Sequence, residues 1–118
     1  MSKPIVHFEI GCSDLPETVA FYKKVFAWDI TPGGNAATID TGRKGAISGH
    51  INKLAPDEPR QYITIYIETD SIGKDLKAIE SNGGKVLVPP IDLPDGRTFA
   101  WFQDVAGNTV GLITPLKE

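Results

Sequence analysis

This chain of 118 residues has one cysteine, one methionine and two histidines, and each shortage closes off a class of protein. With Cys12 alone, no disulfide can form within the chain and no paired-cysteine zinc spacing exists. A lone thiol at a strand end reads as a buried, inert side chain. Excess positive charge is missing as well. The 12 Lys and Arg stand against 15 Asp and Glu, a net charge of -3, which leaves no basic footprint for nucleic acid or for an anionic membrane surface. No apolar run approaches the ~20 residues of a spanning helix, and the opening MSKPIV holds no long apolar segment. A cytoplasmic protein with neither nucleic acid nor membrane as partner is expected. There is also no phosphate-cradling P-loop, dinucleotide fingerprint or nucleophile elbow, so nucleotide cofactors and acyl transfer find no support.

What the chain does have is one pattern written twice. VHFEIGCSD followed by LPETVAFYKKVFAW is echoed by YITIYIETD followed by SIGKDLKAIESNGG. Asp14 and Asp70 each close an alternating run and open a helical pattern, so counting back seven residues sets His7 opposite Ile63 and Glu9 opposite Ile65. The copies end alike, GAISGHI superposing on GNTVGLI and Gly49 on Gly111. The content of 41% hydrophobic and 23% charged residues suits one domain made of two modules, about 1–52 and 61–118. The polar, proline-containing stretch at about 53–60 is the linker between them.

Periodicity predicts a strand over 4–10, with Val6, Phe8 and Ile10 on one face and His7 and Glu9 on the other. Asp14 caps a helix, Glu17 completing a capping box and Pro16 sitting in the first turn; Leu15, Val19, Tyr22 and Phe26 recur at helical spacing. Short strands follow over 28–30, 36–40 and 46–51. The second copy repeats the order: a strand over 62–68, a helix carrying Ile72, Leu76 and Ile79 with Gly83 at its end, and strands over 85–88, 98–103 and 109–114. The segment 89–97 reads as a long loop able to cover a site.

HFEIGCSDLPETVAFYKKVFAW near the start, with GGKVLVPP and WFQDVAGNTVGLI near the end, resembles the vicinal oxygen chelate superfamily, which groups glyoxalase I, bleomycin-resistance proteins, extradiol dioxygenases and fosfomycin-resistance proteins. The resemblance implies an α+β fold of two tandem βαβββ modules, a mixed sheet curled around a cleft, and a homodimer. Metal-using relatives place ligands on the first and last strands of each module. Carried over by position, those places are His7, Gly49, Ile63 and Gly111, of which only His7 can coordinate a metal. The standard metal site is therefore expected to be absent, with no cofactor; a divalent ion held weakly by His7, Glu9 and water is the disfavoured alternative. His50, one residue past Gly49, should look away from the cleft unless a bulge re-aims it. DVAGN matches the family's DPxGN turn with Val105 in place of proline, a structural role for Asp104, Gly107 and Asn108.

His7 and Glu9 are the candidate catalytic pair, since a carboxylate held out of water suits acid–base work near neutrality. The bland alternatives are a His7 bonded to Glu9 and a solvent-exposed Glu9 paired with Arg97 or Arg60. Trp101 is a stacking surface for a planar ligand and Gln103 an anchor beside it, with Ile63, Ile65 and Arg97 completing the candidate ligand contacts. The sequence leaves open whether Trp101 and Gln103 or Ala100 and Phe102 face inward. Three functions stand: a metal-independent binder of a small molecule, an enzyme related to lactoylglutathione lyase working through His7 and Glu9, and a non-catalytic regulatory module whose cleft Ile63, Ile65 and Trp101 fill.

Overall fold

A computed structural model describes residues 2–55 and 62–116. Eight strands and two helices follow in the order β1 Ile5–Cys12, α1 Leu15–Phe26, β2 Asp29–Gly33, β3 Ala36–Asp40, β4 Ser48–Lys53, β5 Tyr62–Glu68, α2 Ile72–Ser81, β6 Lys85–Asp92, β7 Thr98–Gln103 and β8 Thr109–Ile113. This is the α+β, twice-repeated βαβββ arrangement that the sequence predicts. The linker falls largely outside the described residues, as does Arg60. Within the first module the strands run β2-β3-β4-β1, and within the second β6-β7-β8-β5. Each module closes on a parallel pair, β1 with β4 and β5 with β8, while its other neighbours are antiparallel.

The compact bodies do not coincide with the halves of the sequence. One comprises His7–Thr64; the other takes in the chain up to Val6 together with everything from Ile65 onward. The Pro4 carbonyl accepts from the Glu68 amide at 2.8 Å, and the Lys3 ammonium bonds Asp75 at 2.6 Å and Thr69 Oγ1 at 3.2 Å. The start of the chain thus belongs to the second body.

In the first body, α1 lies against its strands through Leu15 and Val19, and Ile39 and Ile51 are fully buried. Each such side chain contributes about 1.5–3 kcal/mol by leaving water. Asp14 accepts from the Glu17 amide at 3.0 Å as the N-cap, the geometry that its place before LPET implies. The helix ends on Ala27 at φ 58, and Trp28 then stacks on Tyr22, centroids 5.0 Å apart and planes 3° from parallel.

In the second body α2 packs through Ile72 and Leu76 on Ala100, Phe102 and Leu112. Ala100 and Phe102 are therefore the core face of β7, and Trp101 and Gln103 look the other way. Two expectations fail here. Ser71, not Asp70, is the N-cap of α2; Ser71 follows a Thr69 whose hydroxyl takes its amide at 3.1 Å, so the helix begins one residue later than the paired aspartates suggest. And 89–97 is no long loop: β6 runs on to Asp92, slipping register between Val86 and Val88 and between Val88 and Ile91. Pro89 and Pro90 are tolerated because β6 lies at the end of the strand order, where a missing amide breaks no ladder. What remains is a turn in which Leu93 and Arg97 pair and Asp95 accepts from the Arg97 amide and guanidinium.

Candidate functional site

The alternation of β1 puts Phe8, Ile10 and Cys12 into the core cluster, leaving His7, Glu9 and Gly11 on the opposite face. Parallel pairing aligns His7 with Ser48 and Glu9 with His50, and aligned residues of neighbouring strands share a face. His50 consequently joins His7 and Glu9, against the expectation that it looks away. No bulge is needed, because it is Gly49 that lies off this face: a Cβ there would stand 2.2 Å from the Phe8 carbonyl oxygen.

These side chains form a row. His7 Nε2 and His50 Nδ1 are 2.7 Å apart, His50 Nε2 lies 3.4 Å from Glu9 Oε1, and the Tyr62 hydroxyl donates to Glu9 Oε2. Glu9 is only 4% exposed, so it is not the solvent-exposed carboxylate of the alternative reading; Arg97 pairs with Asp95 at 2.9 Å, and Arg60 lies outside the described residues. Tyr62 reaches Glu9 because the next residue on that face is glycine: a Cβ on Gly11 would sit 2.6 Å from the Tyr62 ring. A buried carboxylate without partners would cost several kcal/mol, and here two donors converge on it.

Burial lowers the His50 pKa from its ordinary 6.5, outweighing the upward pull of the Glu9 charge. His50 is thus neutral near pH 7. With its Nε2–H turned to the Glu9 carboxylate its Nδ1 is an acceptor, so His7 donates through Nε2. The half-buried His7 is the outer end of the row.

The second module has no such row, and the correspondence between the modules explains why. Buried Leu15 and Val19 of α1 match buried Ile72 and Leu76 of α2, a step of 57 residues rather than the 56 implied by pairing Asp14 with Asp70. His7 then corresponds to Thr64 and Glu9 to Tyr66, which are 3% and 5% exposed, whereas Ile63 is 71% and Ile65 36% exposed. A one-residue slip exchanges the faces of a strand; Ile63 and Ile65 therefore fill no interior. Through strand register, His50, aligned with Glu9, corresponds to Gly111, aligned with Tyr66. A Cβ on Gly111 would meet the Tyr66 ring at 2.4 Å. Tyr66 accepts from Trp101 Nε1 at 2.8 Å, Gln103 Nε2 reaches the Gly107 carbonyl at 3.4 Å, and Asp104 closes its turn on the Ala106 and Asn108 amides and on Asn108 Nδ2. His7, Glu9 and His50 are brought together; Trp101, Gln103 and Arg97 belong to the other body, each engaged within it. His50 and Tyr62 were missed as site residues, although counting parallel register from Glu9 would have found the first.

His7 and His50 turn their nitrogens on one another, the matching positions Thr64, Tyr66 and Gly111 supply no imidazole or carboxylate, and among the described residues no group of three or more His, Cys, Asp or Glu is arranged to hold an ion. A pocket of about 420 Å³ opens beside the row, walled by Ile10, Gly11, Cys12, Ser13, Thr18, Tyr22, Tyr62 and Ile63. Cys12 is buried at 7%. Among the described residues no helix is long and apolar enough to cross a membrane.

A twice-repeated βαβββ chain with a polar row on its first strand defines a class of small α+β proteins. The chain belongs to the Glyoxalase/Bleomycin resistance protein/Dioxygenase superfamily, whose model matches residues 4–112. It is 28% identical over 116 residues to a glyoxylase-like domain-containing protein of Didymella fabae, covering 90% of this chain and 89% of that one. It is 27% identical over 118 residues to the anthracycline biosynthesis protein DnrV of Streptomyces peucetius, covering 85% of this chain but 42% of the relative. The fold is also that of a Bacillus halodurans hypothetical protein (TM-score 0.75, 14% identity, 100% of this chain and 98% of the other). A Streptomyces coelicolor methylmalonyl-CoA epimerase in complex with 2-nitronate-propionyl-CoA is similar as well, with TM-score 0.69 and 21% identity over 96% of this chain and 97% of that one.

Proposed function

We propose that this chain binds a small organic molecule and moves a proton on it, with Glu9 as the base and His50 and His7 as the groups that hold its charge and orientation, and without a resident metal. The observation that carries the reading is the row His7, His50, Glu9 and Tyr62, partly buried and with Glu9 at its buried centre. A buried carboxylate with two donors on it and a neutral histidine beside it is a costly arrangement for packing alone, and it is the kind of group that proton abstraction next to a carbonyl uses. The relatives' names point toward such substrates: glyoxylase-like in one case, a methylmalonyl-CoA epimerase in another. Two copies in the cytoplasm complete the reading.

The test is deuterium exchange, followed by NMR in D2O, on methylmalonyl-CoA, the hemithioacetal of methylglyoxal and glutathione, and a simple β-keto ester. Exchange above buffer on one of them, lost by about 100-fold or more in Glu9→Gln and indifferent to a chelator, is the expected result. A chelator that abolishes exchange would sink the metal-free form, and a Glu9→Gln protein as active as the parent would sink the base. A second reading, a binder without chemistry, draws on the pocket of about 420 Å³, a size in the range of ligand sites; for it, ligand binds and nothing exchanges.

A further inference from the structure

The outer face of α1 is apolar where a surface helix is expected to be polar. Leu15, Val19 and Tyr22 turn to the core of the first body, while Glu17, Ala20, Phe21 and Lys24 recur at helical spacing on the opposite side, all of them exposed. Phe21 is 55% exposed and Val25, one turn on, 56%. The Phe21 ring meets Tyr22 edge-on, centroids 5.2 Å apart, and its outer surface is left open. One such side chain would need no explanation, but a stripe of Ala20, Phe21 and Val25 on a helix of 12 residues does.

The stripe is bracketed by charges of opposite sign. Glu17 stands toward the amino end and Lys24 about two turns further on, and among the described residues neither has an ion-pair partner. From this we infer that α1 packs on α1 of a second copy of this chain, antiparallel about a two-fold axis passing between Ala20 and Phe21. Glu17 of each copy then lies across from Lys24 of the other, so both ends close with an ion pair at once. Ala20 lies across from Phe21, the small side chain leaving room for the ring, and Pro16, also exposed, lies across from Val25. A parallel pair would set Glu17 on Glu17 and Lys24 on Lys24, so charge selects the antiparallel register. A surface that complements itself in this way gives a closed dimer rather than a growing chain. Twelve residues span only about 18 Å. The interface is therefore small and the dimer weak, with a dissociation constant on the order of 100 µM. The inference takes the two copies from the proposed function, names where they meet and uses none of the acid–base residues.

The experiment is sedimentation of the full chain over about 10 µM to 1 mM, at low salt, where exposed ion pairs count most. The parent is expected to pass from monomer to dimer and no further. Phe21→Arg removes the central ring and sets like charges across the axis, so it should stay monomeric, with unchanged circular dichroism because position 21 is exposed. Glu17→Lys and Lys24→Glu each turn two attractive pairs into two repulsive ones, and either alone should associate about tenfold more weakly. Mixed together, these two variants should associate at least as well as the parent, since every pair across the axis is again of opposite sign. A parent that is monomeric at about 1 mM, a mixture no better than its components, or a Phe21→Arg protein that dimerises as the parent does would each overturn the inference. So would a monomer that sediments with phosphatidylserine vesicles unless Phe21 is replaced, which would give this face to a lipid surface. If the chain is monomeric and Glu9-dependent exchange is seen, the interface falls and the acid–base reading survives. If the mixture dimerises as stated and no carbon acid exchanges, the interface stands and the acid–base reading falls.

Discussion

Glu9→Gln keeps the shape of the side chain and removes its charge, so it isolates what the row costs and contributes. In the parent, two donors converge on the carboxylate, the Tyr62 hydroxyl on Oε2 and the His50 Nε2–H, 3.4 Å from Oε1. A glutamine offers one acceptor oxygen and one NH2: with the oxygen toward His50 the Tyr62 hydroxyl must turn and accept from the NH2, and with the oxygen toward Tyr62 the His50 Nε2–H faces a donor. Either way the acceptor loses its charge, and hydrogen bonds to a charged group are worth about 1.5–3 kcal/mol each. Against this, the variant no longer holds a carboxylate out of water. A net loss of about 2 kcal/mol follows, which at roughly 1–1.5 kcal/mol per M moves the urea midpoint down by about 1.5 M with an unchanged slope.

The acid side adds a sign. The folded-state pKa of His50 lies below 6.5 because burial outweighs the Glu9 charge. Between that lowered value and 6.5 the unfolded chain binds more protons than the folded one, so stability is full above about pH 6.5 and is lost as pH falls through the folded pKa. Removing Glu9 removes the opposing upward pull, so the window widens and the acid loss grows. Urea curves at about pH 8 and about pH 5.5 measure both effects. A variant within about 0.5 kcal/mol of the parent near pH 8, or one whose acid loss is smaller than the parent's, would refute the row as described.

Three further outcomes test the frame around the row. Gly111→Ala, whose Cβ would lie 2.4 Å from the Tyr66 ring, should cost about 1–3 kcal/mol by overpacking, read from thermal or urea unfolding. Ile63→Ser, at a 71% exposed position, should stay within about 0.5 kcal/mol of the parent, whereas Ile39→Ala, 1% exposed, should cost about 2–5 kcal/mol; a costly Ile63→Ser would restore the inward-facing alignment. Asp14→Ala removes the acceptor of the Glu17 amide and should cost about 1 kcal/mol, with a matching loss of helical signal on mild heating.

The alternation of VHFEIG and the LPET cap made β1 and α1 legible, and the echo of the pattern made the second module legible too. What misled was the pair of aspartates. Asp14 and Asp70 look equivalent, but the packing that defines equivalence is carried by Leu15 with Val19 and Ile72 with Leu76, and these are spaced one residue further apart. In a strand that single residue decides which face a side chain takes, so it set Ile63 where Thr64 stands and hid the match between His50 and Gly111. Tyr62 was illegible for a different reason. It is distant in sequence from Glu9, and its approach depends on the missing side chain at Gly11, which no periodicity reports. Pro89 and Pro90 suggested a loop because the sequence does not say that β6 is an edge.

The division of the chain at Val6 and Ile65 bears on how such a repeat can be taken apart. A cut in the linker would yield two fragments that each match one copy of the pattern, yet the amino-terminal fragment would carry away Lys3 and Pro4, the partners of Asp75 and Glu68. The unit that was copied and the unit that folds are therefore offset. Fragments cut at the linker should refold better when mixed than when alone, whereas a chain reopened between Thr64 and Ile65, with its old ends joined, would keep each body on one continuous stretch.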